Sequence, residues 1–276
     1  LLLNGETPVT SFITDASTNN FNSTIAGDTR PTPFIPYQNG YYSNYFDGNG
    51  DYLNPTTGST ALAFGTGDFT VEMWFYTTTT QPAFSGYFAT GGNVGDFRLD
   101  QQALGLTPTV NNNSTIFITS SIALTLNAWN HIAVARSSTT LKMFINGVQS
   151  GSVTNSTSFT CGGSAVWIGK NPSAAIYNTG YFSNVRAIKG TAVYTTAFTP
   201  PTTPLTSVSG TQILTCQSNS LIDNSPNNWA IPKLGDTSVQ TFNPFGIPTS
   251  TTVNNLYSTY FAGTTGYVAA SVGAGV

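Results

Sequence analysis

Two side chains are candidates for acid–base chemistry, Glu72 and His131. Glu6 is the one other glutamate, and His131 is the single histidine. Retaining glycoside hydrolysis needs an acid and a nucleophile about 5 Å apart, yet no acid lies two or four positions after Glu72 in its strand-like run. Asp68 lies four positions before Glu72, but in a Gly-Asp turn. We therefore predict a structural, hydrogen-bonded role for the Glu72 carboxylate.

His131 stands inside an apolar run beside Trp129. A single histidine removes most of the metal and triad arrangements that enzymes use. The sequence also contains no nucleophile elbow, phosphate loop or metal-spaced Cys/His set. We expect a buried imidazole whose hydrogen bonds are made in the core. The sequence predicts no catalytic residue and no enzyme.

Two acidic loops carry oxygen atoms of the kind that calcium prefers. They contain Asp15 with Asn19 and Asn20, and Asp47 with Asn49 and Asp51. The same residue types cap tight loops by bonding to nearby backbone, as in Asx turns, and we favour that interpretation for both loops. We predict no metal site and no cofactor, with calcium as the ion to which these loops are chemically suited.

Sugar binding would need an exposed aromatic ring beside amide and hydroxyl donors. Five tyrosines lie in loop-like sequence: Tyr41, Tyr42, Tyr87, Tyr177 and Tyr181. Each could serve as a stacking platform, or each could be buried in the core or an interface. The sequence leaves both alternatives open and singles out no ligand-binding set.

Charge and hydropathy exclude two classes of partner. Charged residues make up 7% of the chain, the net charge is −3, and the eight basic residues are scattered from Arg30 to Lys233. No basic stripe could neutralise a run of phosphates, so we expect no nucleic acid partner. No apolar run approaches the length of a membrane span, so we expect no membrane insertion. A weakly charged surface of hydroxyls and amides is typical of an extracellular or virion protein.

The two cysteines, Cys161 and Cys216, show no C-x-x-C spacing that would suggest a metal. We interpret them as buried thiols. A disulfide between them is the alternative.

The hydrophobic pattern predicts an all-β fold. Short β-branched and aromatic runs recur between Gly, Asn and Pro, and no stretch shows helical apolar spacing. In the run 69–76 the odd-numbered residues are apolar and share one face, whereas Glu72 and Trp74 share the other. Such a strand fits between two layers. Many short antiparallel strands without crossover helices predict a sandwich of two packed sheets, which we favour over a barrel.

Two turns connect the predicted central strands. The runs 129–136 and 141–145 are separated by residues 137–140, a polar loop of hairpin length. Asn146-Gly147 predicts a type I′ turn, because both central positions of that turn need positive φ. That turn folds residues 148–150 back on the preceding strand. Further strands are predicted at 115–119, 164–168 and 182–188.

An internal repeat decides the predicted domain organisation. Nine residues recur at a constant offset of 208 positions: Asp15, Ser17, Asn19, Asn20, Gly27, Asp28, Thr29, Phe34 and Pro36 match Asp223, Ser225, Asn227, Asn228, Gly235, Asp236, Thr237, Phe242 and Pro244. The run YSNYF at 42–46 recurs as YSTYF at 257–261, at an offset of 215. Turn residues alone explain the Asp and Gly matches but not the aligned aromatics.

From the repeat we predict one complete domain over residues 1–210 and the truncated start of a second copy over 211–276. The proline-rich stretch Thr199–Pro204 would be a stiff, extended bridge between them. The chain begins without Met and ends in an unfinished strand pattern. We therefore expect it to be a piece of a longer polypeptide.

Several runs together resemble the laminin G-like branch of the concanavalin A-like lectin and glucanase domains. They are FDGNGDYL at 46–53, FGTGDFTVEMW at 64–74, WNHIAVAR at 129–136 and FING at 144–147. The closing runs, FSNVRAIKGTAVY at 182–194 and FTPP at 198–201, resemble the version found in marine bacteriophage structural proteins. The resemblance covers about residues 1–204 and implies a jelly roll of two antiparallel sheets. The fold hosts lectins, hydrolases, adhesins and spacers, so it implies little about function by itself.

The resemblance implies a non-enzymatic component of a phage virion, located in a tail fibre, appendage or decoration. Its expected partners are other virion subunits or identical chains, and host surface glycans. The alternative is a secreted bacterial adhesin or surface lectin, which would be extracellular. A polysaccharide hydrolase is the least favoured class, because Glu72 has no carboxylate partner in its strand.

Overall fold

The structure is a computed structural model of the chain. It describes residues 41–163 and 165–245, residues 17–18, and six short strands outside that range. The chain divides into two compact units. The larger unit is Gly40–Phe245, and the smaller combines Leu1–Asn39 with Gly246–Val276.

The strands account for nearly all of the regular structure in the described residues. In chain order they are β1 (Leu3–Gly5), β2 (Ile13–Asp15), β3 (Ser23–Ala26), β4 (Arg30–Thr32), β5 (Ser43–Asp47), β6 (Tyr52–Leu53), β7 (Phe69–Tyr76), β8 (Ser85–Ala89), β9 (Arg98–Gln101), β10 (Thr109–Asn111), β11 (Ile116–Thr119), β12 (Trp129–Ser137), β13 (Thr140–Ile145), β14 (Val148–Thr154), β15 (Trp167–Ile168), β16 (Thr179–Lys189), β17 (Thr211–Thr215), β18 (Lys233–Leu234), β19 (Ser238–Gln240), β20 (Ser258–Tyr260) and β21 (Tyr267–Ala270). One helical turn, α1 (Gly58–Ala61), follows β6.

The larger unit is a sandwich of two antiparallel sheets. One has seven strands in the order β11-β10-β9-β8-β15-β6-β18. The other has eight, in the order β14-β13-β12-β7-β16-β5-β19, with β17 paired to β16 off this path. The predicted all-β, two-sheet architecture is confirmed, and it is consistent with a jelly roll.

An aromatic core lies between the two sheets. Phe64 stacks on Phe69 with ring centroids 4.3 Å apart, and Phe97 and Phe159 meet Phe69 edge-on. The odd-numbered residues of β7 are fully buried in this core, as the alternation predicts. The even-numbered residues of β7 therefore lie on the outer face of the eight-stranded sheet.

The predicted strands around β12 are confirmed with one difference at a turn. Asn146 and Gly147 both have positive φ, 50° and 77°, and β14 folds back on β13 from Val148 onward. The predicted four-residue loop 137–140 is wrong. Ser137 pairs with Thr140, which leaves a two-residue turn. The polar residues of this loop extend the ladder of backbone hydrogen bonds instead of leaving it.

The predicted strand 164–168 is shorter in the structure, where β15 contains Trp167 and Ile168. The sequence missed β8, β9 and β10, which form the middle of the seven-stranded sheet. The outward residues of β9 and β10 include Arg98, Asp100 and Asn111, and β8 contains a bulge between Gly86 and Phe88. Buried polar residues and a bulge both obscure the two-residue periodicity that marks a strand.

The division of the chain differs from the predicted domains, 1–210 and 211–276. Residues after 210 supply strands to the larger unit: β17 pairs with β16, β18 with β6, and β19 with β5. Without β18 and β19, the edge strands at this side of the two sheets would be β6 and β5. The stretch Thr199–Pro204 also lies within the larger unit, where Leu205 donates to Asn184 Oδ1 at 2.9 Å. It is not a bridge between units.

The smaller unit contains three two-stranded antiparallel sheets: β1 with β2, β3 with β21, and β4 with β20. Several residues of the repeat, Asn19, Asn20, Gly27, Asp28, Thr29, Phe34, Pro36, Tyr257 and Phe261, lie outside the described residues.

Candidate functional site

Glu72 is at the centre of a polar network on the outer face of the eight-stranded sheet. Its Oε1 accepts hydrogen bonds from Arg186 Nε at 2.9 Å and Nη2 at 2.6 Å. Its Oε2 accepts from the Tyr194 hydroxyl at 2.7 Å and lies 3.1 Å from His131 Nε2. Glu72 and His131 have no exposed surface. The predicted hydrogen-bonded carboxylate and buried imidazole are confirmed, but the hydrogen bonds of the imidazole are not all made, because His131 Nδ1 has no partner among the described residues.

Two opposing effects set the charge state of Glu72. Burial opposes its ionisation, but the hydrogen bond with His131 and the positive charge of Arg186 together outweigh burial. They hold the pKa of Glu72 below its usual value. Burial, together with the neighbouring Glu72 charge, raises the pKa of Tyr194, so this phenol stays protonated and donates to the carboxylate.

Residues 190–206 form a strap over this network. Tyr194 stacks on Phe198 with ring centroids 3.8 Å apart, and Phe198 meets His131 edge-on. Hydrogen bonds to backbone atoms of the strap hold it in place. The Phe198 N–H donates to the Gly147 carbonyl at 3.0 Å, and the Thr206 carbonyl accepts from Arg186 Nη1 at 2.6 Å. Glu72 is therefore closed off from solvent.

Beside the strap, the same outer face carries an aromatic cluster. Phe242 packs on Tyr76, Trp129 and Tyr181 with ring centroids 4.8 to 5.2 Å apart. Phe242 is 43% exposed, so it forms the outermost ring of the cluster. Trp129 Nε1 is buried without a hydrogen-bond partner among the described residues.

The acidic loop at Asp47 and Asp51 gains a third carboxylate that the sequence did not assign to it. Carboxylate oxygens of Asp47, Asp51 and Asp236 lie within 4.8 Å of one another. Asp51 accepts hydrogen bonds from the backbone amides of Asp47 at 3.0 Å and Asp236 at 2.7 Å, and Asp47 accepts from the Asn49 amide at 2.6 Å. Burial, helped by the two neighbouring charges, raises the pKa of Asp51. These bonds are the predicted capping interactions, and the three carboxylates are also the residues that could hold a cation.

The other predicted calcium loop is Asp15 with Asn19 and Asn20. Their side chains lie outside the described residues. The repeat partner of Asp15 is Asp223, which is described. Its carboxylate accepts hydrogen bonds from the Leu214, Ser225 and Trp229 backbone amides at 2.9 to 3.0 Å. In this copy of the motif the carboxylate organises a turn.

The seven-stranded sheet has a different outer face, with polar residues at the middle of β9 and β10. Leu99 and Val110 point into the core, so Arg98, Asp100 and Asn111 point outward. Asp100 accepts hydrogen bonds from Thr109, Asn111 and Gln102 at 2.6 to 2.9 Å. This network orders the amide groups around Arg98.

Arg98 is 5% exposed, and its guanidinium is less satisfied than those of the other buried arginines. Arg186 is paired with Glu72. Arg136 donates through Nε, Nη1 and Nη2 to backbone carbonyls at 2.7 to 3.0 Å. Arg98 donates to the side-chain oxygens of Asn113 and, at 2.6 Å, Asn171. Its Nε has no hydrogen-bond partner in the described part of the chain. The ion pairs of the described residues all involve Glu72, so Arg98 has no carboxylate in contact.

Arg98 lines an open depression of about 270 Å³. Its other lining residues are mostly amides and hydroxyls, with two apolar side chains: Phe84, Gln102, Asn111, Asn113, Ser114, Thr115 and Ile116. Phe84 is 49% exposed and Ile116 is 50% exposed. A large fraction of the apolar surface at this site is therefore free to contact a ligand.

Phe84 is held in an unusual backbone conformation. Its φ is 64°, a left-handed value that costs a bulky residue free energy. Its amide donates to the Gln101 carbonyl, and its carbonyl accepts from Asn171 Nδ2 at 2.8 Å. Because Asn171 also accepts from Arg98, the backbone at Phe84 is connected to the guanidinium through one amide side chain. Strain at an exposed aromatic residue beside a polar depression makes Phe84 a candidate for a functional residue.

A second aromatic group lies on the outer face of the same sheet. Tyr52 stacks on Trp167 with ring centroids 5.4 Å apart. The Lys170 ammonium lies 4.6 Å from the Tyr52 centroid, 4.7 Å from Trp167 and 5.7 Å from Tyr177. Burial lowers the pKa of Lys170. The Lys170 ammonium thus covers the faces of these rings. They are therefore a weaker candidate for a surface on which a sugar stacks than Phe84.

The five predicted tyrosines have different outcomes. Tyr42 and Tyr87 are buried, so for these two residues the alternative of core burial holds. Tyr177 contacts the Lys170 ammonium, and Tyr181 belongs to the Phe242 cluster. Tyr41 packs edge-on against Phe245. None of the five lines the depression at Arg98. The sequence analysis did not identify Phe84 or Arg98. The one local signal for Phe84 was the Pro-x-Phe run just before β8, a strand that was not predicted.

The cysteines are free and buried, as predicted. Burial raises the pKa of Cys161 to about 11 and also raises that of Cys216. In the described residues, no helix has the length and apolar character needed to cross a membrane.

Comparisons with known proteins agree on the fold. The model of the Laminin_G_3 family, described as concanavalin A-like lectin/glucanases superfamily, matches residues 47–201. The native heptameric SAP-like pentraxin from Limulus polyphemus aligns with a TM-score of 0.50 and 12% identity, over 73% of this chain and 95% of that chain. A proposed carbohydrate-binding protein from Bacteroides ovatus aligns with a TM-score of 0.53 and 11% identity, over 74% of this chain and 61% of that one.

Domains LG4-5 of the mouse laminin alpha1 chain align with a TM-score of 0.40 and 15% identity, over 56% of this chain and 44% of that one. This chain thus spans less than two thirds of the Bacteroides and mouse chains. No curated protein sequence matches it. At 12% and 11% identity, the pentraxin and the Bacteroides protein show the fold alone, whereas the family model covers more than half of the chain. The chain belongs to the Laminin_G_3 family of the concanavalin A-like lectin/glucanases superfamily.

Proposed function

We propose that this protein is a non-catalytic carbohydrate-binding module and that its binding site is the depression at Arg98 and Phe84. The observation that carries the proposal is the pairing of a half-exposed, conformationally strained aromatic residue with a buried guanidinium whose Nε has no partner. Aromatic rings stack on the apolar faces of sugars, and fixed polar groups bond to their hydroxyls. Among the amides that line the depression, Asn111 is buried and bonded to Asp100 and Asn113, whereas Gln102 is half-buried and is the better candidate for such a group.

The relatives support the same class of function. The family is described in terms of lectins as well as glucanases, and the Bacteroides ovatus protein has carbohydrate binding as its proposed role. Glu72 supports binding over hydrolysis. Its carboxylate is enclosed by the strap and bonded to Arg186 and Tyr194, so it is not available as an acid or a nucleophile.

The experiment is a glycan array followed by calorimetry on the best glycan, with two matched aromatic substitutions. Phe84→Gly removes the ring and suits the φ of 64°, so its loss of affinity would not come from misfolding. We expect about two- to tenfold weaker binding, the equivalent of roughly 0.5–1.5 kcal/mol for a ring contact.

Phe242→Ala is the control, because Phe242 is an equally exposed ring on the other sheet. We expect it to leave the affinity unchanged. A loss of binding in Phe242→Ala with none in Phe84→Gly would place the site on the eight-stranded sheet and overturn the proposal. Release of reducing sugar from any array hit would overturn its non-catalytic part.

For the biological setting we propose a component of a phage virion, in a tail fibre or appendage, with a secreted bacterial adhesin as the alternative. The support is the resemblance of residues 182–201 to phage structural proteins and the weakly charged, amide-rich surface. Genes for capsid and baseplate proteins beside the coding sequence would favour the virion. Genes for export machinery in that position would instead favour the adhesin.

A further inference from the structure

The smaller unit repeats a strand pairing of the sandwich, residue for residue. In the sandwich, Tyr45 of β5 pairs with Ser238 of β19. Arg30 lies 208 positions before Ser238, and Tyr260 lies 215 positions after Tyr45. In the smaller unit, Arg30 of β4 pairs with Tyr260 of β20. The two offsets are those of the sequence repeat, so β4 corresponds to β19 and β20 to β5.

A second pair of strands obeys the same rule. In the sandwich, Leu53 of β6 pairs with Lys233 of β18. Ile25 lies 208 positions before Lys233, and Val268 lies 215 positions after Leu53. Ile25 of β3 pairs with Val268 of β21. A slip of one residue would turn every side chain to the other face, so two identical registers are not a coincidence of strand pairing.

The corresponding strands differ in their number of neighbours. In the sandwich, β5 lies between β19 and β16, and β6 lies between β18 and β15. In the smaller unit, β20 has β4 as its one neighbour among the described residues, and β21 has β3. A two-stranded sheet is at best marginally stable in water. The positions that β16 and β15 occupy in the sandwich have no counterpart in the described part of the smaller unit.

We propose that the smaller unit is the edge of a second, incomplete sandwich and that it accepts the central segment of another copy of the same repeat. Residues 1–39 then correspond to the closing segment of that sandwich, and residues 246–276 to its opening segment. The partner must supply strands equivalent to β15 and β16, which would pair with β21 and β20.

The first test is a cross-strand disulfide in the full chain. Thr32 pairs with Ser258, and their repeat counterparts Gln240 and Ser43 pair in the sandwich. We expect T32C/S258C to form a disulfide under mild oxidation. The control T32C/T259C places the two thiols on opposite faces and should cross-link at least tenfold less. Cys161 and Cys216 are buried and should stay reduced. Equal yields in the two variants would overturn the proposed register.

The second test appends a copy of residues 62–245 after Val276, which continues the repeat at its own offset. The segment 246–276 then has a central and a closing segment of its own. We expect the T32C/S258C disulfide to fall at least tenfold, and S258C to cross-link instead with Q240C of the appended copy. Phe182→Pro in the appended copy breaks its β16 and should restore the original disulfide. An undiminished T32C/S258C yield in the extended chain would overturn the proposal.

Discussion

The outer faces of the two sheets differ in the groups that contact their buried arginines. On the eight-stranded sheet, Glu72 and Arg186 neutralise one another, and the strap of residues 190–206 covers both. On the seven-stranded sheet, Arg98 is equally buried but contacts two amide oxygens and no carboxylate. A depression leads from solvent to this second cation.

The difference separates stability from binding. A buried ion pair with all its hydrogen bonds made offers nothing to a ligand, and removing either partner leaves the other charge unpaired. Burial lowers the pKa of Arg98 although the charges of Asp100 and Asp96 oppose this effect, so the buried cation costs free energy in the unbound protein. In the proposed site, an oxygen atom of the ligand would recover part of that cost. The four predictions below test this contrast.

The largest effect is expected from Glu72→Ala. The substitution leaves Arg186 without its carboxylate and removes the acceptor of the Tyr194 hydroxyl. We expect a loss of about 3–5 kcal/mol in the free energy of unfolding, measured by urea denaturation. Glu72→Gln keeps an oxygen acceptor and should lose less. A loss below about 1 kcal/mol in Glu72→Ala would show that the network does not hold the strap.

The stability of the protein should fall in acid partly through the same carboxylate. The pKa of Glu72 is lowered in the folded protein, so its ionised form stabilises the fold above the unfolded-state pKa of about 4.3. This contribution is lost as the pH falls through the lower folded-state pKa. Urea midpoints measured from pH 7 to pH 3 should therefore decline more steeply in the natural protein than in Glu72→Gln. Parallel curves would contradict the lowered pKa.

On the other sheet, Arg98→Ala should affect binding more than folding. A hydrogen bond to a charged group contributes about 1.5–3 kcal/mol, which corresponds to roughly ten- to hundredfold weaker glycan binding. Arg98→Lys keeps the charge but loses the planar fork that reaches both Asn113 and Asn171. We expect intermediate affinity for this variant by calorimetry. An Arg98→Ala protein that binds normally would remove Arg98 from the proposed site.

The strands that sequence predicts well are those with regular alternation. β7, β12 and β13 bury every second residue or an almost continuous apolar run, and each was predicted within two residues of its bounds. β9 was missed because Arg98 and Asp100 are polar and yet buried. Their burial follows from neighbouring strands and from the loop that carries Asn171, which no local pattern contains.

The candidate site was missed for the same reason. Glu72 and His131 were recognisable because each is nearly unique in the sequence. Phe84 is one of 18 phenylalanines, and the Pro-x-Phe run before β8 is its one local signal. Its exposure and its φ depend on hydrogen bonds to Gln101 and Asn171, which are 17 and 87 positions away. The repeat was found in the sequence, but the position where each folding unit starts required the strand pairings.

The smallest effect is expected at the acidic loop, which both sheets share through β5, β6 and the turn before β19. Backbone amides already satisfy Asp51, so we expect EDTA at pH 7 to change Tm by less than about 2 °C. A cation at one hundred times its Kd would add about 2.7 kcal/mol to the free energy of unfolding. That corresponds to a rise in Tm of roughly 5–10 °C for a unit of this size.

Asp236→Asn is the matching variant. It keeps the backbone N–H from which Asp51 accepts a hydrogen bond, and it removes one of the three neighbouring negative charges. Without a cation this variant should be slightly stabilised at pH 7, because the raised pKa of Asp51 marks an unfavourable charge there. A large calcium-dependent rise in Tm that Asp236→Asn abolishes would instead establish a cation site in the loop.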